Sequence, residues 1–381
     1  MQFELSKDQE EAFSTFAKWM KTNRKQLTLG GIAGSGKSFL ISYIKEQFLN
    51  KRIAFCAFTG KAALVLKDKL KNIATIDDYI GTIHGLIYVP ILDKKTKQIK
   101  GWRRQTDIDY DLVIVDEASM VDGQIYADLS SYGIPILAVG DHHQLPPVSG
   151  DFNLMESPDI KLETPHRFAQ NLPLIKVATL ARENGNIPYG EYGEGILKTG
   201  YRQFMNEKFD DYIRAQDFAS GNSIIICAFN KTRIELNNRI RRVLGLKGEP
   251  RKGDRVICLK NNRHISPPIF NGLIGTLDSL IESQHNKNLY FSKINLDGNE
   301  IPFYGDISKD CFNNRSPDLY TGKKKDKIGY FDYGFTVTVH RAQGSEFKNV
   351  LVIEQECDLW EHKRWLYTAV SRSNKNLIIL K

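Results

Sequence analysis

Cysteine is scarce in this sequence, and the five cysteines among its 381 residues form no C-x-x-C pair. Their scattered positions argue against a disulfide framework or a zinc site and favour reduced thiols. Two of them, Cys56 and Cys227, lie inside apolar segments. We therefore expect these two side chains to be buried as small hydrophobic residues rather than to act as nucleophiles or ligands.

Long hydrophobic runs are also lacking, because no segment approaches eighteen consecutive apolar residues. Residues 1–5 show no basic region that leads into an apolar one. These absences indicate neither export nor a membrane-spanning helix. Together with the reduced thiols, they predict a protein of the cytoplasm with no membrane partner.

An excess of acidic residues is the third absence, since the formal net charge is +8 and the sequence pI is about 9.0. A basic balance favours a polyanionic partner, although a solvated basic surface explains the charge equally well. The hydrophobic fraction of 41% is that of a globular protein. At 381 residues the chain exceeds the usual size of a single core, so two or more domains are expected.

A glycine-rich loop is the most specific motif that is present. Residues 31–38 read G-I-A-G-S-G-K-S, which matches G-x-x-x-x-G-K-[ST], and they follow an apolar segment at 26–29. In such a loop the backbone N–H groups point at phosphate oxygens, the lysine reaches the β- and γ-phosphates, and the serine binds Mg²⁺. An ordinary glycine-rich strand-to-helix turn is the alternative. The predicted nucleotide-binding residues are Gly31, Ala33, Gly34, Ser35, Gly36, Lys37 and Ser38.

Polar residues follow two further apolar segments. The segment 112–115 ends in Asp116 and Glu117, and the segment 134–139 leads into a loop that contains Gln144. Because ligands of open α/β sheets bind at the carboxyl ends of the strands, we expect Asp116 to hold Mg²⁺ and Glu117 to polarise the attacking water. Gln144 would sense the γ-phosphate or that water. The alternatives are a helix N-cap for the acids and a surface loop for Gln144.

The fold class predicted is α/β, because short apolar segments alternate with helical stretches in both halves of the chain. Continuous rather than alternating apolarity is typical of parallel strands covered on both faces. Turn dipeptides at 271–272 and 297–298 between β-rich runs predict a small β-barrel or other β-rich insertion. The predicted strands lie at 52–58, 112–115, 134–139, 223–227, 349–353 and 376–380.

The domain boundaries follow from these patterns. We expect a first α/β domain over 1–86 and 105–220, interrupted by a β-hairpin over 87–104. The second α/β domain is expected over 221–252 and 333–381, interrupted by the β-rich insertion over 253–332.

The ordered motifs resemble those of superfamily 1 DNA helicases, within which the RecD/Dda-like branch is most similar. The resemblance implies two RecA-like P-loop NTPase domains with ATP and Mg²⁺ between them, and an SH3-like barrel for the second insertion. It implies an ATP-dependent DNA helicase that translocates 5′ to 3′ on single-stranded DNA in a bacterial or phage-infected cytoplasm. The motifs lie at 31–38, 58–63, 82–84, 116–120, 140–147, 339–347 and 367–372.

The resemblance also assigns roles at matching positions. Gln9 matches a glutamine that reads adenine, and Glu346 matches a position associated with the ribose. Arg167 and Arg372 match arginines that reach the γ-phosphate, for which a planar guanidinium with five donors is well suited. An exposed arginine in a surface salt bridge is the alternative for Arg372.

The nucleic-acid side is implied mostly by the resemblance. Trp102, in the hairpin, lies where relatives carry a wedge that splits the duplex, and the alternative is a tryptophan that packs the hairpin onto its domain. Single-strand/double-strand junctions are the expected substrate, and replication or recombination proteins are candidate partners of a monomeric motor. The residues implied to line the single-strand path are Thr59, Gly60, Lys61, Thr82, His84, Thr338 and His340.

Residues 231–263 hold eleven basic residues, independently of the resemblance. On the predicted helix there, an apolar stripe leaves Arg239, Arg241 and Arg242 largely outside it. This face could track a phosphate backbone or simply be solvated.

Two other functions stay open at this point. One is a single-strand translocase or a motor subunit of a recombination or nuclease complex that does not unwind alone. The other is a nucleotide-dependent switch or scaffold that uses the glycine-rich loop for binding only.

Overall fold

The computed structural model describes residues 5–92, 99–147, 152–165, 172–262, 265, 267–284, 286–299, 301–314 and 327–381. The chain divides into two compact units, residues 1–170 and residues 171–381. In the described part of the chain, no helix is both long enough and apolar enough to cross a membrane.

The first unit alternates strands and helices. Its elements are α1 (Lys7–Trp19), β1 (Gln26–Gly31), α2 (Lys37–Gln47), β2 (Ile53–Ala57), α3 (Gly60–Leu70), β3 (Tyr79–Thr82), α4 (Ile83–Ile87), β4 (Tyr88–Leu92), β5 (Ile99–Arg104), β6 (Leu112–Asp116), a short 3₁₀ turn (Ala118–Met120), α5 (Gly123–Ser130), β7 (Ile136–Gly140) and β8 (Ile160–Leu162).

The main sheet of the first unit has the strand order β3-β2-β6-β7-β1-β8, and all neighbouring strands in it pair in parallel. Both faces are buried, because alternate residues of β2 enter different cores: Phe55 packs into one with Leu29, and Cys56 into the other with Val115. This confirms the predicted parallel sheet. Cys56 is buried as expected, and burial raises the pKa of its thiol.

β4 and β5 form an antiparallel hairpin outside that sheet, with Pro90 opposite Trp102. The hairpin begins directly after α4, and the chain returns through Gln105, whose backbone N–H donates to the carbonyl of Ile87.

The second unit contains α6 (Leu172–Asn184), β9 (Gly190–Gly193), β10 (Ile196–Thr199), α7 (Tyr201–Glu207), α8 (Phe209–Ala215), β11 (Ser223–Cys227), α9 (Asn230–Val243), β12 (Arg255–Cys258), β13 (Ile274–Glu282), β14 (Leu289–Leu296), β15 (Phe303–Ser308), a 3₁₀ turn (Lys309–Cys311), β16 (Phe331–Tyr333), β17 (Thr336–Thr338), α10 (Val339–Ala342), β18 (Phe347–Ile353), α11 (His362–Val370) and β19 (Ser373–Leu380).

The main sheet of the second unit has the order β17-β11-β18-β19-β10-β9, parallel except for β9 at the edge. β10 pairs with the C-terminal strand, in register from Ile196 opposite Leu377. Residues 172–220 therefore belong to the second unit, and the boundary that the sequence placed at 220 is too late. Cys227 is buried in β11, and burial raises the pKa of its thiol to about 12.

The β-rich insertion is an antiparallel sheet in the order β15-β14-β13-β12-β16. Two of its turns carry the predicted dipeptides, with Gly272 and Gly298 in the left-handed region at φ 86° and 74°. Among the described residues the expected closed barrel is not formed as a continuous ladder. The edges of the sheet meet instead at a bridge between Ile307 and Gly329.

A polar stripe on α9 holds both ends of this insertion. Arg233, Asn237 and Arg241 recur every fourth residue and are buried. The Arg233 guanidinium lies 2.6 Å from a carboxylate oxygen of Asp332 in β16, and Arg241 lies 2.7 Å from Asp254 just before β12. The amide of Asn237 donates to a backbone carbonyl at the start of β17.

Four arginines of the basic stretch 231–263 form salt bridges within the protein: Arg233, Arg239, Arg241 and Arg255. Arg241, which the sequence placed outside the apolar stripe, is buried against Tyr333 and paired with Asp254. Arg239 pairs with Asp210 at 2.9 Å, whereas Arg242 is exposed. The prediction that Arg241 is part of a phosphate-tracking face on α9 is therefore wrong, because its charge is already neutralised by Asp254.

Candidate nucleotide site and nucleic-acid interface

The glycine-rich loop joins β1 to α2 in a conformation that depends on glycine. Gly34 and Gly36 have φ values of 79° and 81°, a left-handed region that other residues rarely adopt. A Cβ atom on Gly31 would lie 2.5 Å from the Ser35 hydroxyl oxygen, so that position also excludes a side chain. The loop therefore wraps tightly in front of the first residue of α2, Lys37.

Two polar side chains in this loop fit an anionic ligand. The Ser35 hydroxyl is buried and has no hydrogen-bond partner among the described residues. The Lys37 ammonium folds back onto the loop, donating to the carbonyls of Gly31 at 2.7 Å and Ile32 at 3.1 Å. A buried donor without a partner and a lysine held over a tight loop suit a phosphate group better than they suit an ordinary turn.

Lys69 is a residue of the site that sequence reasoning missed. It lies on the last turn of α3 and donates a hydrogen bond from its ammonium to the Ser38 hydroxyl at 2.9 Å. Ser38 is the residue predicted to bind Mg²⁺, so a cation already contacts that oxygen. Nothing in the local sequence around Lys69 signals this contact.

Gln9 is brought to the same loop from α1. Its amide nitrogen donates to the Ser35 carbonyl at 3.3 Å, and its amide oxygen accepts from the N–H of Ser6 at 3.1 Å in a capping box. The predicted adenine-reading glutamine is therefore adjacent to the loop, with both ends of its amide engaged.

The two predicted carboxylates lie at the end of strand β6. Asp116 is the last residue of β6, and one of its oxygens accepts the N–H of Glu117 at 2.9 Å. Glu117 has φ 53° and ψ 40°, a left-handed conformation that costs a non-glycine residue roughly 1–2 kcal/mol. Backbone strain of this kind is typical of functional positions, which supports a specific role for the Glu117 side chain over a simple helix cap.

Gln144 is buried in the loop after β7, so the surface-loop alternative is wrong. Its amide donates to Asp141 at 3.3 Å, and the other oxygen of Asp141 accepts the N–H of His143 at 3.0 Å. Asp141 is completely buried and orients Gln144 from three residues upstream. The signal that could have identified Asp141 is an acid at the end of an apolar strand, the same pattern that identified Asp116.

The strand order explains how these residues come together. β7 lies between β6 and β1, and all three run in parallel, so their carboxyl ends lie at one edge of the sheet. Close packing there requires Gly140, because a Cβ atom on it would lie 3.0 Å from the N–H nitrogen of Ser119. Loop 31–38, Asp116 and Gln144 therefore share one edge.

In the second unit, Arg372 is buried rather than exposed. Its guanidinium donates to the Thr368 carbonyl at 3.0 Å, the Ser345 carbonyl at 3.4 Å and the Ser371 hydroxyl at 2.9 Å. Within the described part of the chain no carboxylate lies within ion-pair distance of it. The surface salt-bridge alternative is wrong, and a buried guanidinium without an acid suits an anionic ligand. Glu346 is exposed just before β18.

The predicted nucleic-acid residues of the first unit lie where strands give way to helices. Thr59 caps α3, with its hydroxyl accepting from the Ala62 N–H at 3.2 Å, and Thr82 caps α4 in the same way through Gly85 at 3.1 Å. β2 and β3 are neighbours with Ala57 opposite Thr82, so both caps lie at one sheet edge. Gly60 and Lys61 open α3 beside Thr59.

His84 contacts Trp102 edge-on, with ring centroids 4.4 Å apart. The Trp102 side chain packs the hairpin against α4 on one side while the residue stays 44% exposed. The packing alternative therefore holds for one side of Trp102, and its role as a wedge stays a prediction.

The matching residues of the second unit are Thr338 and His340. Thr338 occupies the N-cap position of α10 and is buried, although its side chain makes no cap hydrogen bond. His340 lies two residues further, edge-on to Trp360 at 5.6 Å between centroids. Burial lowers the pKa of His340, so its ring is neutral near pH 7.

Family models and known proteins match both units of this chain. An AAA domain model matches residues 14–150, and a UvrD-like helicase C-terminal domain model matches residues 333–380. The chain is 27% identical over 378 residues to the ATP-dependent RecD2 DNA helicase of Deinococcus radiodurans, which covers 91% of this chain and 46% of that protein. It is 27% identical over 259 residues to the ATP-dependent DNA helicase dda of phage T4, covering 63% and 57%. These matches support the resemblance to superfamily 1 helicases of the RecD/Pif1/Dda branch.

A solved structure of a Pif1 helicase shares the RecA-like fold. The Pif1 helicase from Bacteroides, in complex with ADP-AlF3 and ssDNA, aligns with a TM-score of 0.59 at 16% identity, covering 99% of this chain and 92% of that chain. The chain spans about half the length of the curated superfamily 1 relatives it matches. The second arginine that the branch resemblance assigns, Arg167, lies outside the described residues.

Proposed function

We propose that this chain is an ATP-dependent DNA helicase that moves along single-stranded DNA. The observation that carries the proposal is the carboxyl edge of the first sheet, which brings together the glycine-rich loop, Asp116, the strained Glu117 and the buried Gln144. Phosphoryl transfer needs this set, because its catalysis consists mainly of positioning and charge neutralisation around the γ-phosphate. The names of the RecD2 and dda relatives support the same activity.

Each residue has a proposed role. The loop N–H groups and Lys37 bind the phosphates, Ser38 and Asp116 hold Mg²⁺, and Glu117 orients the attacking water. When bound, Mg²⁺ supplies positive charge that offsets the charge of the phosphates. Gln9 and Glu346 would contact the adenine and the ribose.

Arg372 and Arg167 are proposed to stabilise the γ-phosphate during transfer. The burial of Arg372 without an acid partner among the described residues supports this, since such a group gains most from an anion. A binding-only switch would have no use for a strained Glu117 or for a buried Arg372 that has no carboxylate partner among the described residues.

Single-stranded DNA is the proposed track, with 5′ to 3′ movement, and a monomer acting at single-strand/double-strand junctions is the proposed working form. Hydroxyl, imidazole and backbone N–H groups, such as those at Thr59, Thr82 and His340, suit phosphates and sugars and carry no sequence code. The Pif1 structure with ADP-AlF3 and ssDNA supports both ligands. Replication or recombination proteins are proposed as partners.

Strand displacement on paired substrates tests the proposal. A duplex with a 5′ single-stranded tail should be unwound with ATP, and the same duplex with a 3′ tail should not. Lys37→Ala should abolish both ATP turnover and unwinding, because the lysine charge on the phosphates is lost. DNA-stimulated turnover without strand separation would indicate a translocase instead. Turnover that single-stranded DNA leaves unchanged would contradict a motor of either kind.

A further inference from the structure

The four tryptophans of this chain fall into two classes. Trp19 and Trp365 are core residues that are 5% and 0% exposed. Trp102 and Trp360 are only partly covered, and each lies edge-on against the histidine of a Thr-x-His segment, His84 and His340 respectively. The first of these pairs belongs to the predicted nucleic-acid face, whereas no role has been assigned to Trp360.

The two units place these segments at equivalent points of their sheets. In each unit the edge strand, β3 or β17, ends in Thr82 or Thr338 and runs directly into a short helix. The neighbouring strand, β2 or β11, pairs with it in parallel and leads into the longer helix α3 or α9. The sequences at these two points are similar, with Cys56-Ala57-Phe58-Thr59 in one unit and Cys227-Ala228-Phe229-Asn230 in the other.

An aromatic cluster results in the second unit. Phe229 precedes α9 and lies 6.0 Å from Trp360 between ring centroids, at an interplanar angle of 36°. His340 approaches the same indole at 5.6 Å and 69°. Phe229 is 36% exposed and Leu359, beside Trp360, is 84% exposed, so the cluster borders solvent.

Gln355 holds the two loops of this cluster together. Its side-chain oxygen accepts the N–H of Ala228 at 3.0 Å, and its nitrogen donates to the Thr232 hydroxyl at 2.9 Å. The loop after β18, which carries Trp360, is thereby fixed to the start of α9. A fixed set of partly exposed rings loses little conformational freedom on binding a flat ligand.

We propose that Phe229, His340 and Trp360 form an aromatic platform that stacks on unpaired bases of single-stranded nucleic acid. The proposal rests on the proposed function, and it adds a base-stacking site in the second unit. The equivalence with the His84–Trp102 pair favours a nucleic acid over an apolar protein segment as the occupant. Exposed Lys231, two residues after Phe229, supplies positive charge for the adjoining phosphate.

Base stacking on an aromatic side chain contributes about 1–3 kcal/mol per base, and 1.4 kcal/mol corresponds to a tenfold change in affinity. Trp360→Ala should therefore weaken binding of an oligothymidylate by about tenfold. Binding of an abasic oligomer of the same length, measured at low salt where phosphate contacts suffice, should be unchanged. Trp360→Phe is the matched control and should retain most of the affinity. Equal weakening for both oligomers, or for neither, would overturn the platform.

Tryptophan fluorescence gives a second readout, in which the Trp360 side chain and its packing are kept. In a Trp102→Phe variant, Trp360 is the partly exposed indole that remains, and oligothymidylate should still quench its emission. The double variant Trp102→Phe/Trp360→Phe should lose this quenching, because Trp19 and Trp365 are buried. Loss of all quenching already in Trp102→Phe would contradict base contact at Trp360.

The two proposals fail in different ways. If the wild-type protein bound neither oligomer, the proposed motor on single-stranded DNA would be wrong. If it bound both while Trp360→Ala and the quenching showed no base dependence, the motor would stand and the platform alone would be wrong.

Discussion

The ammonium of Lys69 donates a hydrogen bond to the hydroxyl of Ser38 at 2.9 Å. The two residues lie on different helices, Ser38 at the start of α2 and Lys69 near the end of α3. The N-cap of α3 is Thr59, a proposed DNA contact. The same helix therefore carries a DNA contact at its start and, near its end, the lysine that contacts Ser38, a proposed magnesium ligand. Because a lysine and a divalent cation compete for the same oxygen, Lys69 must leave Ser38 when Mg²⁺ binds.

Replacing Lys69 should therefore make Mg²⁺ binding easier. We expect Lys69→Met to lower the Mg²⁺ concentration needed for half-maximal binding of a fluorescent ADP analogue by about 2–5-fold, the effect of a hydrogen bond worth roughly 0.5–1 kcal/mol. Lys67→Met is the matched control, because Lys67 is also exposed on α3 and should leave the titration unchanged. An unchanged or higher requirement in Lys69→Met would show that Lys69 does not compete.

Arg372 should separate nucleotide binding from hydrolysis. We expect Arg372→Ala to bind ATP but to turn it over on the order of 10³-fold more slowly, since an arginine at the γ-phosphate acts mainly in the transition state. Arg372→Lys should be nearly as slow, because a point charge cannot replace the planar guanidinium that makes three hydrogen bonds here. Arg364→Ala removes an arginine of α11 that is paired with Glu361, the residue before that helix, and should keep normal turnover. Steady-state ATPase rates with single-stranded DNA provide the measurement.

The strained backbone of Glu117 should be visible in stability. At φ 53° an alanine keeps the strain that a glycine relieves, so Glu117→Gly should be more stable than Glu117→Ala by about 1 kcal/mol. Both variants should lose ATP turnover, because both lack the carboxylate. Urea unfolding of the two variants measures the difference. If Ala proved the more stable, the left-handed conformation at residue 117 would be wrong.

Glu354, at the end of the second sheet, should govern acid stability. Burial acts to raise its pKa, but hydrogen bonds from His362, Lys198 and Lys381 outweigh burial and lower the pKa from 4.5 to about 2. A carboxyl whose pKa is lower when folded stabilises the protein above pH 4.5, and the stabilisation is lost as the pH falls toward 2.

The expected loss is roughly 3 kcal/mol of unfolding free energy across that interval. Glu354→Gln should lower the stability at pH 7 and should largely remove this part of the pH dependence. Glu356→Gln is the control, because Glu356 is exposed and its salt bridge is with Lys381, one of the cations that Glu354 also contacts. Denaturant unfolding of the full chain at pH 7, 5, 4 and 3 makes the comparison. A steep acid transition that persisted in Glu354→Gln would assign it to other carboxylates.

Local patterns were sufficient to predict much of this molecule. The strands at residues 53–57, 136–140 and 223–227 are short apolar runs whose continuous burial is visible in the sequence. The glycine-rich loop is equally local, since its conformation follows from its own residues. The positions of Asp116 and Gln144 at the ends of strands of one sheet were also predicted, and their roles stay predictions.

Long-range pairing was not visible in the same way. β10 joins the second sheet through β19, about 180 residues later, so no local signal moves the boundary from 220. From the sequence alone, Arg241 would be expected on the solvated face of a helix. Its burial depends on the contact with Asp254, which the sequence does not reveal. The same holds for Lys69, whose partner is a serine 31 residues away. Propensity and periodicity depend on residues that are close in the sequence, whereas these contacts join residues that only tertiary packing brings together.

The polar stripe of α9 places a demand on any exchange of the β-rich insertion between related proteins. The insertion departs next to Asp254 and returns at Asp332, and each acid neutralises a buried arginine of α9. A transplanted module that fitted the sheet perfectly but lacked these two carboxylates would leave Arg233 and Arg241 buried without counter-charges, at a cost of about 3–5 kcal/mol each. The compatibility of a grafted insertion is therefore decided by two residues at its ends more than by its own fold.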